Sequence, residues 1–374
     1  MDLAIVALTK AGLEVGLRLA AGLGSKVTVY ANQPVPGCLP LTAVTGETAF
    51  RSHQVVPWGI EVKPIEGKLK DFLGFLWRRY EGLVLIMAAG IAVRCLAPYL
   101  ESKYKDPAVI LLDEQGQHAI SLLSGHLGGA NELARQVATV LGGEAVITTA
   151  SDLQGLPALD LLARELGLKP VPASRLAAVS GALVNGGRVG LWAEEPWLHS
   201  WRGLAPRLPC FPLAAFDSPA GWDAGLLVTG RRLPDPGPRW VFLRPAQVVA
   251  GIGCRRGTAE GRILAALGWA LREAGYSRWS LAALASIDLK AGEPGLLAAA
   301  HRLGCELRTY TREELAAVLS AQPDLSFSET VQAKIGVGGV CEPAALLASG
   351  RGKLILRKRR YAGVTVALAR VAWP

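Results

Sequence analysis

Apolar residues fall into short unbroken runs, separated by longer stretches in which they recur every three or four positions. Buried strands alternating with amphipathic helices in this way predict an α/β fold with mainly parallel sheets. Residues 3–8 (LAIVAL) form the first run, residues 13–21 carry helical spacing and residues 27–30 form a second run, so the chain opens as a βαβ unit. A Pro/Gly-rich loop follows at 32–40. Further strands are expected at 83–87, 108–112, 117–122 and 145–148. Helices are expected at 68–80 and 130–141, with a short one stopped by Pro98.

After residue 153 the pattern loosens. Residues 156–167 and 172–184 have helical spacing, and short strands are expected at 188–192, 225–229 and 240–243. Residues 194–222 are rich in Pro and Trp and hold no steady period, while residues 234–238 and Arg244-Pro245 read as linker. Regularity then returns. Strands are expected at 247–252, 283–287 and 306–310, and a helix at 259–274. Thr311 and Glu314 have capping-box spacing, and residues 354–357 and 364–370 read as a closing antiparallel pair. The expected organisation is an N-terminal α/β/α domain over 1–152, a smaller middle α/β domain over 153–245 and a C-terminal α/β/α domain over 246–374.

Composition narrows the class. Hydrophobic residues at 51% against 19% charged give a folded chain rather than a disordered one. The longest apolar stretch, residues 83–93, is broken by Gly90 and too short to cross a bilayer, and MDLAIVALTK lacks the basic lead and cleavage site of a signal peptide. The expectation is a soluble, cytoplasmic protein. None of the six cysteines forms a CxxC pair or a zinc-spaced cluster, which points to reduced thiols. A net charge of +9 suits nucleic acid, an anionic membrane or an acidic small molecule. With no RNA- or DNA-reading module and no zinc finger, an acidic small molecule is one of the partners left.

The chemistry concentrates in residues 120–134, ISLLSGHLGGANELA. A strand ends in Ser124-Gly125-His126, Gly128 and Gly129 follow, and Asn131 and Glu132 open a helix. Glycine lets a ligand approach the backbone, a helix start suits an anion, and His126 can titrate near neutral pH. Ser124, His126, Thr148, Thr149 and Asp152 would share one sheet edge, where open α/β sheets hold their ligands.

Other motifs divide between two readings. The run from Gly251 to Gly257 is GxGxxxG, one residue longer than the dinucleotide fingerprint, and no acidic residue caps a second strand. Arg255 and Arg256 are therefore either an anion site or arginines on a solvated turn. Asp288, Lys290 and Glu293 follow a strand. Glu342, just past Gly338-Gly339, is a carboxylate facing a helix dipole or a catalytic group. Arg357 to Arg360 read as a hairpin tip in water. Lys103, Lys105 and Asp106 sit in a loop, and His53, His118, His199 and His301 read as structural or surface residues.

Taken in order, residues 90–98 (GIAVRCLAP), 105–109, 113–116, the SLLSGHLGGANELA run and residues 146–152 (VITTASD) resemble the N-terminal region of the cobalt-precorrin-5A hydrolase (CbiG) family of anaerobic cobalamin biosynthesis. GIGCRRGT, SIDLKAGE, GVGGVCEPAAL and VTVALAR resemble that family's C-terminal domain, which also occurs as a separate protein, CobE, in the aerobic pathway. The resemblance implies a cobalt-bearing, partly methylated tetrapyrrole substrate with acetate and propionate arms. It implies opening of a ring lactone by water, with loss of the extruded carbon as acetaldehyde to give cobalt-precorrin-5B. No cofactor of the protein's own is implied, since the cobalt belongs to the substrate. Neighbouring pathway methyltransferases are the implied protein partners.

Such chemistry needs cationic anchors, an oxyanion site and a proton acceptor. Arg94, Arg255 and Arg256 are the expected anchors, and the N–H groups of Gly128 and Gly129 the expected oxyanion donors. His126 is the expected base, with Glu132 or Asp106 orienting it or sharing its work. Lys103, Ser124, Gly125, Asn131, Thr148, Thr149, Asp152, Gly253, Cys254, Lys290, Glu293 and Glu342 complete the expected substrate contacts, in a cleft between the first and last domains. The competing class is a non-catalytic carrier of a corrinoid intermediate, which the same anion sites would serve. A nicotinamide oxidoreductase and a methyltransferase have less support, the latter because no feature calls for S-adenosylmethionine.

Overall fold

The computed structural model describes residues 1–24, 26–32, 54–55, 60–102 and 105–372. The expected loop over 33–40, Lys103, Cys38 and His53 lie outside the described residues. The chain packs as two units, Met1–Leu161 and Leu162–Pro374. No helix among the described residues is long and apolar enough to cross a membrane.

The first unit is built on an eight-stranded sheet. Its strands are β1 (Leu3–Ala7), β2 (Val27–Ala31), β3 (Gln54–Val55), β4 (Glu61–Lys63), β5 (Gly82–Ile86), β6 (Ala108–Leu112), β7 (His118–Leu123) and β8 (Glu144–Val146). They lie in the order β3-β4-β2-β1-β5-β6-β7-β8. β1, β2, β4, β5 and β6 run parallel, whereas β7 turns back against β6, and β8 follows β7. β1, β5 and β6 are buried along their whole length, as the unbroken apolar runs require. Helices α1 (Lys10–Leu23) and α4 (Ala130–Leu141) pack on one face, α2 (Leu69–Trp77) and α3 (Ala89–Leu96) on the other. Thr9 starts α1 earlier than the apolar spacing suggests, because its hydroxyl accepts the Gly12 N–H at 3.1 Å. A short helix α5 (Ala150–Leu153) follows β8, and α6 (Leu159–Glu165) spans the break between the units.

The second unit holds two sheets. In the first, β9 (Leu168–Val171), β10 (Val189–Ala193), β11 (Cys210–Pro212), β12 (Ala224–Val228) and β13 (Trp240–Pro245) lie in the order β11-β10-β12-β13-β9. Between them run α7 (Arg175–Val184) and α8 (Glu195–Leu204). α8 falls where no steady period was expected. Its buried side chains are Trp197, Leu198 and Trp201, so tryptophan supplies the apolar face. β9 escapes the sequence pattern because it is four residues long between two helices.

In the other sheet, β14 (Val248–Gly253) is followed by α9 (Glu260–Glu273), β15 (Leu281–Ile287), α10 (Pro294–Leu303) and β16 (Glu306–Tyr310). Then come α11 (Arg312–Ala321), α12 (Glu329–Ile335), α13 (Cys341–Ala348), β17 (Lys353–Tyr361) and β18 (Val364–Arg370), and the strands lie in the order β16-β15-β14-β18-β17. The capping box at Thr311 and Glu314 is present.

Two expectations are corrected here. Arg244-Pro245 is not linker but the end of β13. The Arg244 guanidinium is buried and donates to the carbonyls of Thr229, at 2.9 Å, and Arg231, at 2.5 Å. Burial pulls its pKa down to about 10. The two sheets are joined by backbone bonds, from Ser277 N–H to the Gly230 carbonyl at 2.8 Å and from Arg232 N–H to that of Gly275 at 2.9 Å. Residues 357–360 are likewise not a hairpin tip but lie inside β17, and the turn falls at Ala362-Gly363.

Candidate active site

The reversal at β7 decides where the chemistry sits. Leu123 pairs with Val109, so β7 ends beside the amino-terminal ends of β1, β5 and β6, and β8, parallel to β7, ends at the same edge. The turn after β7 and the turn after β8 thereby meet.

Ser124 leaves β7 with φ +58 and Gly129 enters α4 with φ +88, so the turn doubles back twice in six residues. Its glycines serve its own packing. A Cβ on Gly125 would lie 2.7 Å from the Asn131 Oδ1, and one on Gly128 2.4 Å from the Ser124 Cβ. The Gly129 N–H donates to the His126 carbonyl, and those of Ala130 and Asn131 to the carbonyls of Ser124 and Gly125. The Gly129 N–H expected as an oxyanion donor is therefore already used within the turn.

His126 is half-buried, with 18% of its side chain exposed. Its Nε2 lies 2.7 Å from the Asp152 Oδ2, and its Nδ1 3.6 Å from the Asp160 Oδ1. Asp152 also accepts from Asn131 Nδ2 at 3.0 Å and from Arg135 Nη2 at 2.9 Å. Burial works to raise the Asp152 pKa, but the bonds and charges of His126 and Arg135 outweigh it and hold the carboxyl below the usual carboxylate range. Asn131 is buried, 4% exposed, and is fixed in turn by Ser121 Oγ at 2.7 Å and Thr149 Oγ1 at 3.3 Å. A continuous network thus runs from β7 through α4 and α5 to the imidazole.

The structure brings together His126, Asn131, Thr149 and Asp152, with Ser124 alongside. The expected orienting carboxylates are elsewhere. Glu132 pairs with Arg135 on the exposed face of α4, and Asp106 caps its own loop by accepting the N–H groups of Glu101 and Ser102. Only the Asp106 carbonyl reaches the turn, through Ser124 Oγ at 2.9 Å. Thr148 is exposed beside the site. Arg94 folds back onto the Gly90 carbonyl at the start of α3, which follows the carboxyl end of β5, so it faces the opposite sheet edge. Asp160 was missed because it lies beyond the expected domain boundary and has no motif around it.

The second unit carries a cavity of 660 Å³ between the carboxyl ends of β14 and β15, the start of α13 and strand β17. Its wall includes the expected Gly253, Cys254, Arg255, Arg256, Lys290 and Glu342, and also Lys334, Lys358 and Arg360. Among the described residues, six cationic side chains therefore line it. Glu342 is the one acidic side chain among the described residues of its wall, and it is taken up: it accepts Ser326 N–H at 2.6 Å, Ser326 Oγ at 3.1 Å and Lys358 N–H at 2.8 Å. It lies in the first turn of α13, where a carboxylate suits the helix dipole, and these bonds make it a structural tie as well.

Glu293 sits behind the wall, bonded to Gly257 N–H at 2.6 Å and Lys290 Nζ at 2.7 Å. The Lys290 ammonium, helped by the Gly257 N–H, keeps its carboxyl below the usual range despite burial. Burial pushes the Cys254 thiol up, which leaves it protonated at neutral pH. Along β17, Lys358 and Arg360 face the cavity while Arg357 and Arg359 pair with Asp324 and Glu273. That alternation is legible in KLILRKRRY once the segment is taken as a strand.

Three family models match the chain: cobalamin synthesis G N-terminal over residues 71–152, cobalamin biosynthesis central region over 157–245 and cobalamin synthesis G C-terminus over 248–369. The chain is 33% identical over 379 residues to the cobalt-precorrin-5A hydrolase of Priestia megaterium, covering 100% of this chain and 96% of that one. It is 37% identical over 380 residues to the cobalt-precorrin-5A hydrolase of Salmonella typhimurium, covering 98% and 97%. The protein CobE of a Sinorhizobium species is 39% identical over 127 residues, 33% of this chain and 80% of that one.

Proposed function

The chain belongs to the cobalt-precorrin-5A hydrolase family of cobalamin biosynthesis, and from that premise we propose that it opens the lactone of cobalt-precorrin-5A with water, releasing acetaldehyde and cobalt-precorrin-5B. The observation that carries the catalytic reading is His126 held between Asp152 and Asp160. A half-buried imidazole with a fixed carboxylate on one nitrogen is a general base that is oriented before substrate arrives. It takes a proton from water as the oxygen attacks the lactone carbonyl, and returns it to the departing oxygen.

The cationic cavity suits the other need, since acetate and propionate arms are carboxylates and arginine meets them in bidentate fashion. Arg255, Arg256, Lys334 and Arg360 are the proposed arm contacts. The cobalt stays with the substrate throughout. Handover of the product to a neighbouring pathway methyltransferase belongs to the same proposal.

The test is to incubate purified protein with cobalt-precorrin-5A and follow acetaldehyde. His126→Ala is expected to slow its release at least ~100-fold with folding intact, the usual size of a general-base effect. Wild-type turnover by that variant would remove His126 as the base. Stoichiometric corrinoid binding with no acetaldehyde from the wild-type protein would instead make it a carrier.

A further inference from the structure

We propose that the working nitrogen of His126 is Nδ1, and that Asp160 is a second catalytic residue, holding the attacking water together with it. The inference rests on the hydrolytic reading above and adds to it a water site and a residue. A neutral imidazole has one donor and one acceptor nitrogen. At 2.7 Å from Nε2, the Asp152 carboxylate can only accept: the bonds and charges of His126 and Arg135 keep it ionised, and Asn131 donates to the same oxygen. Nε2 must then carry the hydrogen, and the lone pair is on Nδ1.

That lone pair faces the Asp160 Oδ1 at 3.6 Å. The separation is too long for a direct hydrogen bond and right for a shared third atom. An oxygen placed roughly 2.8 Å from both atoms subtends an angle of about 80°, close enough to the water angle for one hydrogen to point at each. The oxygen's lone pairs then point away from both groups. Asp160 is 11% exposed, and its Oδ1 also accepts the Leu161 N–H at 3.0 Å, which fixes the carboxylate at the start of α6. Ser151, whose Oγ is 3.4 Å from Nε2, is on the protonated side of the ring and is not the nucleophile.

The step balances without a further reactant. The water oxygen bonds to the lactone carbonyl carbon as one proton passes to Nδ1. The acyl carbon–oxygen bond then breaks with its electron pair on the departing oxygen, which takes the proton back from Nδ1. Asp160 orients the water through its other hydrogen and remains a carboxylate.

Two measurements on the full chain test this. In ¹⁵N-histidine-labelled protein, the neutral His126 ring is expected as the Nε2–H tautomer; an Nδ1–H tautomer would overturn the assignment. Asp160→Asn is expected to lower kcat about 100-fold with KM changed by less than about twofold, the pattern of a group acting on the reacting water. Added formate should restore at least about tenfold of the activity lost in Asp160→Ala, a rescue that a packing role would not give. If Asp160→Asn turns over at the wild-type rate while His126→Ala is inactive, Asp160 is not part of the water site and the base assignment stands. If both variants turn over normally, the hydrolytic reading of this turn fails as well.

Discussion

Replacing Glu342 with Gln keeps the size and shape of the side chain but turns one oxygen into an NH₂ group, and is expected to loosen the wall of the cationic cavity. Glu342 is 1% exposed and accepts from two backbone amides, Ser326 N–H on one oxygen and Lys358 N–H on the other. A glutamine has one oxygen to offer. Whichever way its amide is turned, one buried N–H then meets an NH₂ group and the other keeps a weaker, uncharged partner. Losing one charge-assisted bond and leaving a buried donor unpaired costs about 2–4 kcal/mol. For a unit of this size that corresponds to a fall of roughly 4–16 °C in the unfolding temperature. Calorimetry reads the total, and hydrogen exchange at the Ser326 and Lys358 amides reads the location. Faster exchange at one of these two amides, with the N-terminal unit unaffected, is the expected result. An unchanged melting temperature together with unchanged exchange at both would refute the claim that this carboxylate ties α13, β17 and the loop before α12 together.

Further expectations follow from the same geometry. Asp152→Asn should lower kcat about 100-fold, because an amide at Nε2 no longer fixes the tautomer. Asp152 has a folded pKa below that of the free carboxylate, so its contribution to stability is complete above about pH 4 and is lost as pH falls through the lower folded value. Acid titration of the first unit should therefore show a step in that window that Asp152→Asn abolishes. Replacing Arg256 and Lys334 together with Ala should weaken corrinoid binding about tenfold and flatten its salt dependence, read by equilibrium titration at two ionic strengths. Gly251→Ala should destabilise the second unit by about 3 kcal/mol in denaturant unfolding, since the new Cβ would lie 1.7 Å from the Cys341 carbonyl oxygen.

How much of this could be read from the chain depends on the length scale of each signal. The bounds of β6, α4 and β16 coincide with the apolar pattern, because each is a full run bounded by turn residues. The meeting of His126 with Asp152 was anticipated as a shared sheet edge, since both follow strands of the same sheet. Its partner choice was not. Glu132 is closer in sequence than Asp152, yet helical geometry turns it to the solvent side of α4 while Asn131 faces inward. Arg94 was misplaced because only the direction of β7 tells which sheet edge a turn occupies, and strand direction is a property of pairing. In the second unit, Lys334, Lys358 and Arg360 reach one cavity from two elements, and a single sequence window cannot show that convergence. Arg244-Pro245 has the residue types of a linker, but its neighbours Thr229 and Arg231 supply carbonyls that make burial of the guanidinium tolerable.

The stitched seam between β13 and β14 bears on how the molecule can be dissected. Severing the polypeptide after Pro245 would take from Ser277 and Gly275 their backbone partners Gly230 and Arg232, and bare the face of Tyr276, 1% exposed, that Arg231 stacks on. A fragment beginning there would present a raw apolar flank and invite aggregation, so its failure to bind corrinoid would say little about the cavity. A scission after Leu161 leaves that seam whole, but it divides α6 instead.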